Sequence, residues 1–396
     1  MKKSLTGIVV LAVLAVVVIV FLKFISKPKP QKVAKVPTAV AAKKEIKVGV
    51  VWPMTGLVAA FGQSAWKGAT LAQSMMPTTE DGAKIKLILL DNKGMKVETA
   101  NAVSKLITDN HVKAVIGAIT SSNTLAGAPI AEKNHIPMLT SSATNPLVTK
   151  GKKFVSRVCF IDPFQGTVAA KYVWNNLHAK TAVVMIEKDQ DYSVGLAHAF
   201  MEAFKKLGGK VVGVEFFQST DQDYSAQIAD IKTKNPDIIY MPSYYQEISL
   251  FCKQARQYGL KQTVMAGDGA EADTLIKIGG KAVEGVTFTT HYDPHAAATP
   301  LSKKFLKLFK EKYHGDPDAM AALGADAYFV LLNAINKAGG YKATPTKINY
   351  WIRHTKGFKG VTGVITIDPE TGNAIKSAVI RKVENGKFVY VTTVNP

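Results

Sequence analysis

Hydroxyl-bearing residues cluster at the ends of two successive predicted strands in the first half of the chain. Ser121 and Ser122 follow one short apolar run, and Ser142 and Thr144 follow the next. They precede or open predicted helices, where free backbone N–H groups and a partial positive charge are available. Hydroxyls beside a helix N-terminus can complete a site for a carboxylate or another small anion. For each residue taken singly, ordinary N-capping of the helix is the alternative explanation.

Strand ends in the second half offer an acid and aromatic rings instead. Asp268 lies between two glycines, which lets another backbone or a ligand approach its carboxylate closely. The carboxylate can pair with an ammonium group, and the rings of Tyr192 and Tyr244 can pack over it. A turn aspartate is the alternative, because Asp-Gly is common in turns. Together, the two halves predict a zwitterion held between two lobes.

Sequence patterns typical of catalytic and metal sites do not occur in the chain. There is no Gly-x-Ser-x-Gly elbow, no His-Glu-x-x-His, no phosphate loop and no Gly-x-Gly-x-x-Gly. The eight histidines are dispersed without ligand spacing, and Asp221 and Asp223 match only part of a calcium loop. We therefore predict a protein that is not an enzyme and that has no cofactor and no metal site.

Alternating strands and helices are expected to position these residues. The alternation predicts an α/β fold of parallel sheets covered on both faces, with ligands bound beyond the carboxyl ends of the strands. Expected strands are 46–52, 85–91, 112–117, 136–140, 181–186, 211–217, 237–241, 264–267 and 286–290. Expected helices are 63–76, 97–110, 124–134, 165–177, 195–207, 225–234, 248–258, 302–313 and 319–338. Further strands are expected at 364–368, 378–383 and 388–392, the last two joined by a hairpin at Asn385-Gly386.

Length and composition limit the class of protein. The 396 residues suggest two or three domains or lobes, and the 47% of hydrophobic residues excludes global disorder. Two cysteines exclude a disulfide scaffold, and we expect Cys159 and Cys252 to be buried free thiols. Residues 1–45 contribute +8 of the net charge of +20, and the later lysines alternate with acids without an arginine-rich run. Nucleic acid is therefore not an expected partner.

Residues 1–25 are predicted to be a signal peptide or a membrane anchor. Their apolar run, 7–22, is longer than the ~7–15 residues of a signal-peptide core and close to the ~17–25 that span a bilayer. No small-x-small site follows the run directly, so we favour a retained anchor with an exported domain. Residues 26–44, rich in proline and lysine, are predicted to be an extended tether.

Several local motifs carry a family resemblance that runs from about Ile46 to the C-terminus. They include Ile46–Val50 with Pro53–Gly56, Ser142–Pro146, Asp191–Gly195 and Gly267–Gly269. The chain resembles the periplasmic solute-binding proteins of branched-chain amino-acid ABC transporters, the Leu/Ile/Val-binding type. The resemblance implies the type I periplasmic-binding fold, in which two lobes, each a mainly parallel sheet flanked by helices, are joined by three hinge crossovers. It places the first lobe at 46–162 with 292–373, and the second at 163–291 with 374–396.

The resemblance also implies roles for single residues. Ser121 and Thr144 are expected to hydrogen-bond the ligand carboxylate together with the Ser142 backbone, and Asp268 to bind the α-ammonium. The remaining ligand-binding residues are the closing tyrosines, Tyr192 and Tyr244, and the expected lining of an apolar side-chain pocket, Phe61, Trp52 and Ile119. Trp52 replaces a smaller residue of the family and is expected to narrow this pocket.

The implied function is capture of a neutral, aliphatic or branched-chain amino acid between two closing lobes, for delivery to the permease subunits of an ABC transporter. The expected location is periplasmic or extracytoplasmic, with residues 7–25 tethering the protein to the cytoplasmic membrane. Two alternatives stay open from the sequence. One is a membrane-tethered ligand-sensing domain, and the other is an amide, urea-like or aromatic acid ligand.

Overall fold

The structure, a computed structural model, describes residues 44–396. The predicted anchor at 1–25 and the tether at 26–44, apart from Lys44, lie outside the described residues. Within 44–396 the chain forms two principal sheets, and their strand order is what brings distant parts of the sequence together.

The first sheet has five parallel strands in the order β2-β1-β3-β4-β5. Alternate side chains of β1 enter two cores. Val48 and Val50 join the core that includes Ala65 and Ala69, whereas Val51 joins the core that includes Val103, as expected for a strand covered on both faces. The strands are β1 Glu45–Trp52, β2 Lys84–Asp91, β3 Ala114–Gly117, β4 Met138–Thr140 and β5 Val155–Arg157. The helices between them are α1 Ala59–Met75, α2 Lys96–Thr108 and α3 Ser121–Lys133.

The second sheet starts after the first chain crossing and has a parallel part of five strands, in the order β10-β9-β8-β6-β7. Its core is rich in aromatic rings; Phe200 stacks on Tyr240 with ring centroids 3.8 Å apart. The strands are β6 Thr181–Glu187, β7 Lys210–Phe217, β8 Ile238–Met241, β9 Thr263–Ala266 and β10 Thr287–Thr290. The helices are α4 Asp162–Asn175, α5 Asp191–Lys206, α6 Ser225–Lys234, α7 Tyr245–Gln257 and α8 Asp273–Gly279.

After β10 the chain returns to the first sheet and then crosses back once more. Three helices cover the first sheet: α9 Pro300–Tyr313, α10 Ala319–Lys337 and α11 Pro345–Arg353. A small antiparallel sheet follows, made of β11 Phe358–Lys359, β12 Val364–Ile367 and β13 Ala374–Ile375. The final hairpin, β14 Ala378–Glu384 and β15 Lys387–Val394, adds to β10 in antiparallel orientation. We call the first sheet with α1–α3, α9–α11 and β11–β13 the first lobe, and the second sheet with α4–α8 the second lobe.

Helix α10 packs against α1 through two glycines. A Cβ atom on Gly68 would overlap the Ala321 carbonyl, and one on Gly324 would overlap the Ala65 carbonyl. The two backbones can therefore approach more closely than side chains would allow. Helix α10 is long and apolar enough to cross a membrane, but 89% of its most apolar stretch is buried, so here it is a core helix.

The predicted α/β class with three chain crossings is confirmed, and so are the C-terminal hairpin and the two buried free thiols. Burial raises the pKa of both thiols to about 12. The predicted starts of five helices were late by three or four residues, because their first turns mix small, polar and aromatic residues and the apolar periodicity begins one turn later. These helices are α1, α3, α4, α5 and α7. The sequence did not predict β5, α8, α11, β11 or β13.

Candidate functional site

A cavity of about 10 Å³ lies between the carboxyl ends of the two sheets. This is about the room that one water molecule needs and far below the ~300–1,000 Å³ of typical ligand pockets, so the lobes have to separate to admit a larger ligand. Both lobes contribute to the lining, which is the arrangement expected for a ligand held between them. The lining residues are Phe61, Ile119, Thr120, Ser121, Ser142, Tyr192, Tyr244, Asp268, Gly269 and Met320.

Seven of the nine predicted site residues line this cavity, and two do not. Trp52 is fully buried at the end of β1, where its ring lies edge-on to Trp66 with centroids 6.3 Å apart. Thr144 is also fully buried, and its carbonyl accepts a hydrogen bond from the Asp162 N–H at 3.1 Å. The Trp52 side chain belongs to the hydrophobic core, and the Thr144 hydroxyl lies beside the Asp162 carboxyl group.

The first lobe contributes the N-terminus of α3 and its hydroxyls, which we call the hydroxyl end of the cavity. Because α3 starts at Ser121, this residue occupies the first helical turn, where backbone N–H groups have no intrahelical acceptor. Ser121 Oγ accepts a hydrogen bond from the Asn145 N–H at 3.2 Å, and Ser142 Oγ donates to the Ile119 carbonyl at 2.9 Å. The hydroxyl end thus offers neutral donors to an anionic group.

The second lobe contributes Asp268 and the side chains around it, which we call the acid end. Asp268 follows β9, and its side chain is 5% exposed. Its Oδ1 accepts hydrogen bonds from Gln165 Nε2 at 2.8 Å and from the Tyr192 hydroxyl at 2.9 Å. Its Oδ2 lies 2.9 Å from His291 Nε2. Tyr192 is in turn held by the Gly269 N–H, which donates to its oxygen at 3.1 Å.

The donors around Asp268 are neutral. Burial lowers the pKa of His291 below its ordinary 6.5, despite the opposing effect of Asp268, so the imidazole is uncharged at neutral pH. Burial, and then the Asp268 charge, raise the pKa of Tyr192 well above 10, so it stays a phenol. Within residues 44–396, no Lys or Arg nitrogen lies within 4 Å of the Asp268 carboxylate. A buried carboxylate with only neutral donors is suited to pair with a cation.

Aromatic and aliphatic side chains form the rest of the lining. The rings of Tyr192 and Tyr244 stack with centroids 5.3 Å apart, and Phe61 meets Tyr244 edge-on at 6.0 Å. Ile119 and Met320 complete an apolar surface. No cluster of three or more His, Cys, Asp or Glu residues that could hold a metal ion occurs in residues 44–396.

Direct hydrogen bonds join the two lobes on either side of the cavity. On one side, the Tyr245 hydroxyl donates to the Leu57 carbonyl at 2.8 Å and accepts from the Ala60 N–H at 3.3 Å. On the other, Ser122 Oγ donates to Asp191 Oδ2 at 2.8 Å and accepts from the Asp191 N–H at 2.9 Å. The structure therefore has the lobes in contact around the cavity.

A second buried carboxylate, Asp162, lies at this lobe contact. Burial raises its pKa to about 8, although the Thr144 hydroxyl beside it acts in the opposite direction, so Asp162 is mostly a neutral acid at pH 7. Gly195 of α5 leaves room for the approach of the lobes. A Cβ atom there would lie 2.5 Å from the Asn145 amide nitrogen and 3.0 Å from Asp162 Oδ2.

Sequence reasoning missed Gln165 and His291, which support Asp268, and Met320, which lines the cavity. His291 could have been found, because it comes directly after β10, and the rule that examines strand ends applies to that strand too. Gln165 and Met320 lie within helices, where no local pattern separates them from core positions.

Comparisons with known proteins agree with this fold. The sequence model of the periplasmic binding protein family matches residues 45–387. The structure of the leucine-binding protein LivK of Thermotoga maritima is 50% identical, with a TM-score of 0.86, and the match covers 89% of this chain and 99% of that chain. LivJ of Streptococcus pneumoniae, a branched-chain amino-acid transporter substrate-binding protein solved with isoleucine, is 31% identical, with a TM-score of 0.83 and coverage of 89% and 100%. A leucine-, isoleucine-, valine-, threonine- and alanine-binding protein of Pseudomonas aeruginosa is 31% identical over 83% of this chain and 87% of its own length.

Proposed function

Because the chain belongs to the periplasmic binding protein family, we propose that it captures a branched-chain amino acid outside the cytoplasm and delivers it to an ABC permease. Its role is to bind and release the amino acid without turnover. The protein works as two lobes, 46–162 with 292–373 and 163–291 with 374–396, tethered to the cytoplasmic membrane by residues 7–25. The chain crossings after β5, after β10 and before β14 support this division.

The observation that carries the proposal is the pairing of a buried carboxylate with a helix N-terminus across one small cavity. Asp268 has neutral donors only, and an α-ammonium group supplies the missing positive charge. The α3 N-terminus, the Ser121 hydroxyl and the Ser142 backbone supply donors for the α-carboxylate. Charge-assisted hydrogen bonds of this kind contribute roughly 1.5–3 kcal/mol each.

The apolar part of the lining supports an aliphatic side chain. Phe61, Ile119 and Met320 present carbon atoms to the cavity, and a charged side chain there would lose its hydration without a partner. The related LivJ binds isoleucine, and the related Pseudomonas protein is named for leucine, isoleucine, valine, threonine and alanine.

A ligand series tests this function. The purified protein is titrated calorimetrically with leucine, isoleucine and valine, and in parallel with leucinamide, which lacks the carboxylate, 4-methylpentanoic acid, which lacks the amine, and 4-hydroxybenzoic acid. We expect tight binding of the three amino acids only, and a stabilisation of ~2.7 kcal/mol at 100 times the dissociation constant. Equal or tighter binding of 4-methylpentanoic or 4-hydroxybenzoic acid would show that the site does not recognise an amine.

A further inference from the structure

The donors on Asp268 are unevenly divided between its two oxygens. A carboxylate has about four acceptor positions, two on each oxygen. Gln165 and Tyr192 occupy both positions of Oδ1, whereas Oδ2 has one donor, His291. The remaining acceptor position is therefore on Oδ2, the oxygen that His291 holds.

We propose that His291 is a positioning residue for amine recognition: its Nε2–H fixes Asp268 Oδ2 so that the same oxygen accepts a hydrogen bond from the ligand's ammonium group. This inference rests on the proposed function and adds to it, because it assigns the amine to one oxygen and names the residue that orients it. His291 acts through Asp268 and is absent from the cavity lining.

The surroundings of His291 keep its ring in place. The side chain is fully buried, and the ring stacks on Phe160 with centroids 3.8 Å apart and planes 24° from parallel. A donor that is immobile before the ligand arrives lowers the ordering cost of binding. Since burial disfavours the imidazolium, His291 gives an N–H to Asp268 without a positive charge that would repel the ligand's ammonium group.

Two substitutions of His291 distinguish the effect of its Nε2–H donor from the effect of its ring packing. His291→Phe keeps an aromatic ring against Phe160 but removes the donor, whereas His291→Gln loses the ring but can place an amide N–H near the position of Nε2. If His291 acts by donating, His291→Phe weakens leucine binding by at least ~10-fold, and His291→Gln stays within ~3-fold of the wild type. If the ring of His291 contributes only by packing, His291→Gln instead weakens leucine binding more than His291→Phe does.

Calorimetric titration with leucine and melting temperatures measured for both variants decide between these outcomes. His291→Asn, whose amide is too short to reach Oδ2, is a second variant without the donor and is expected to behave like His291→Phe. Equal leucine affinity in the wild type, His291→Phe and His291→Asn would overturn the role of His291. Wild-type binding of 4-methylpentanoic acid as tight as that of leucine would instead contradict the proposed function itself, so the two failures are distinguishable.

Discussion

The two ends of the cavity are suited to groups of opposite charge, and they provide for them with different kinds of protein group. The hydroxyl end spreads its donors over a helix N-terminus, the Ser121 hydroxyl and the Ser142 backbone, none of which carries a formal charge. The acid end concentrates its charge in one buried side chain, Asp268, which other side chains orient. Loss of one donor at the hydroxyl end leaves the rest in place, whereas loss of Asp268 removes the entire charge. Single substitutions should therefore have unequal effects at the two ends.

The largest effect is expected from Asp268→Ala. The ligand's ammonium group would be buried without a counter-charge, so leucine binding should weaken by at least ~100-fold, or ~2.7 kcal/mol. Isothermal titration calorimetry measures the change, with Asp273→Ala, at an exposed acid of α8, as the matched control. An unchanged dissociation constant would show that Asp268 does not bind the ligand, and the proposed difference between the two ends would be wrong.

The next largest loss of leucine affinity is expected from a substitution at Gly195, where the two lobes approach each other. In Gly195→Ala the new Cβ would crowd the Asn145 amide nitrogen, which lies 2.5 Å from the ideal Cβ position, and closure around the ligand would be strained. We expect leucine binding to weaken by ~10-fold with little change in melting temperature. Gly315→Ala is the control, because a Cβ there meets nothing within 4 Å. Similar affinities for both variants would mean that the contact near Gly195 does not limit closure.

A smaller effect is expected at the hydroxyl end. Ser121→Ala removes one neutral hydroxyl but leaves the backbone N–H groups of α3, so leucine binding should weaken by only ~3- to 10-fold. Ser104→Ala on α2, away from the cavity, is the matched control. A loss as large as that of Asp268→Ala would show that the hydroxyl end, too, depends on a single side chain.

The smallest effect on affinity is expected from Asp162→Asn, which instead changes the pH dependence of stability. Since the pKa of Asp162 is raised from 3.8 to about 8 in the folded protein, its contribution to stability is fully present below pH ~4 and is lost as the pH rises to about 8. The variant cannot ionise there. Its melting temperature relative to the wild type should therefore rise by a few degrees between pH 5 and pH 8. A constant difference across this range would contradict the raised pKa.

Much of the fold could be predicted from local pattern, because buried parallel strands and amphipathic helices differ in period and length. The acid end was predicted through Asp268, whose flanking glycines mark a strand end. Two of the residues that hydrogen-bond Asp268, Gln165 and His291, were not predicted. Gln165 is 103 and His291 23 residues away from Asp268 in the sequence, and both meet it only after the sheet has formed. Trp52 was expected in the pocket because it ends β1, but a strand places alternate side chains on opposite faces, and its ring lies beside Trp66.

The contact between α1 and α10 has a consequence for the order in which the protein matures. Ser64 of α1 donates a hydrogen bond to Asp318, 254 positions later, and the two glycine contacts join the same pair of helices. During synthesis, the first lobe lacks the helix that completes its core until nearly the whole chain has left the ribosome. The hairpin of β14 and β15, which extends the second sheet, is translated later still, so both lobes are completed only by the C-terminal part of the chain.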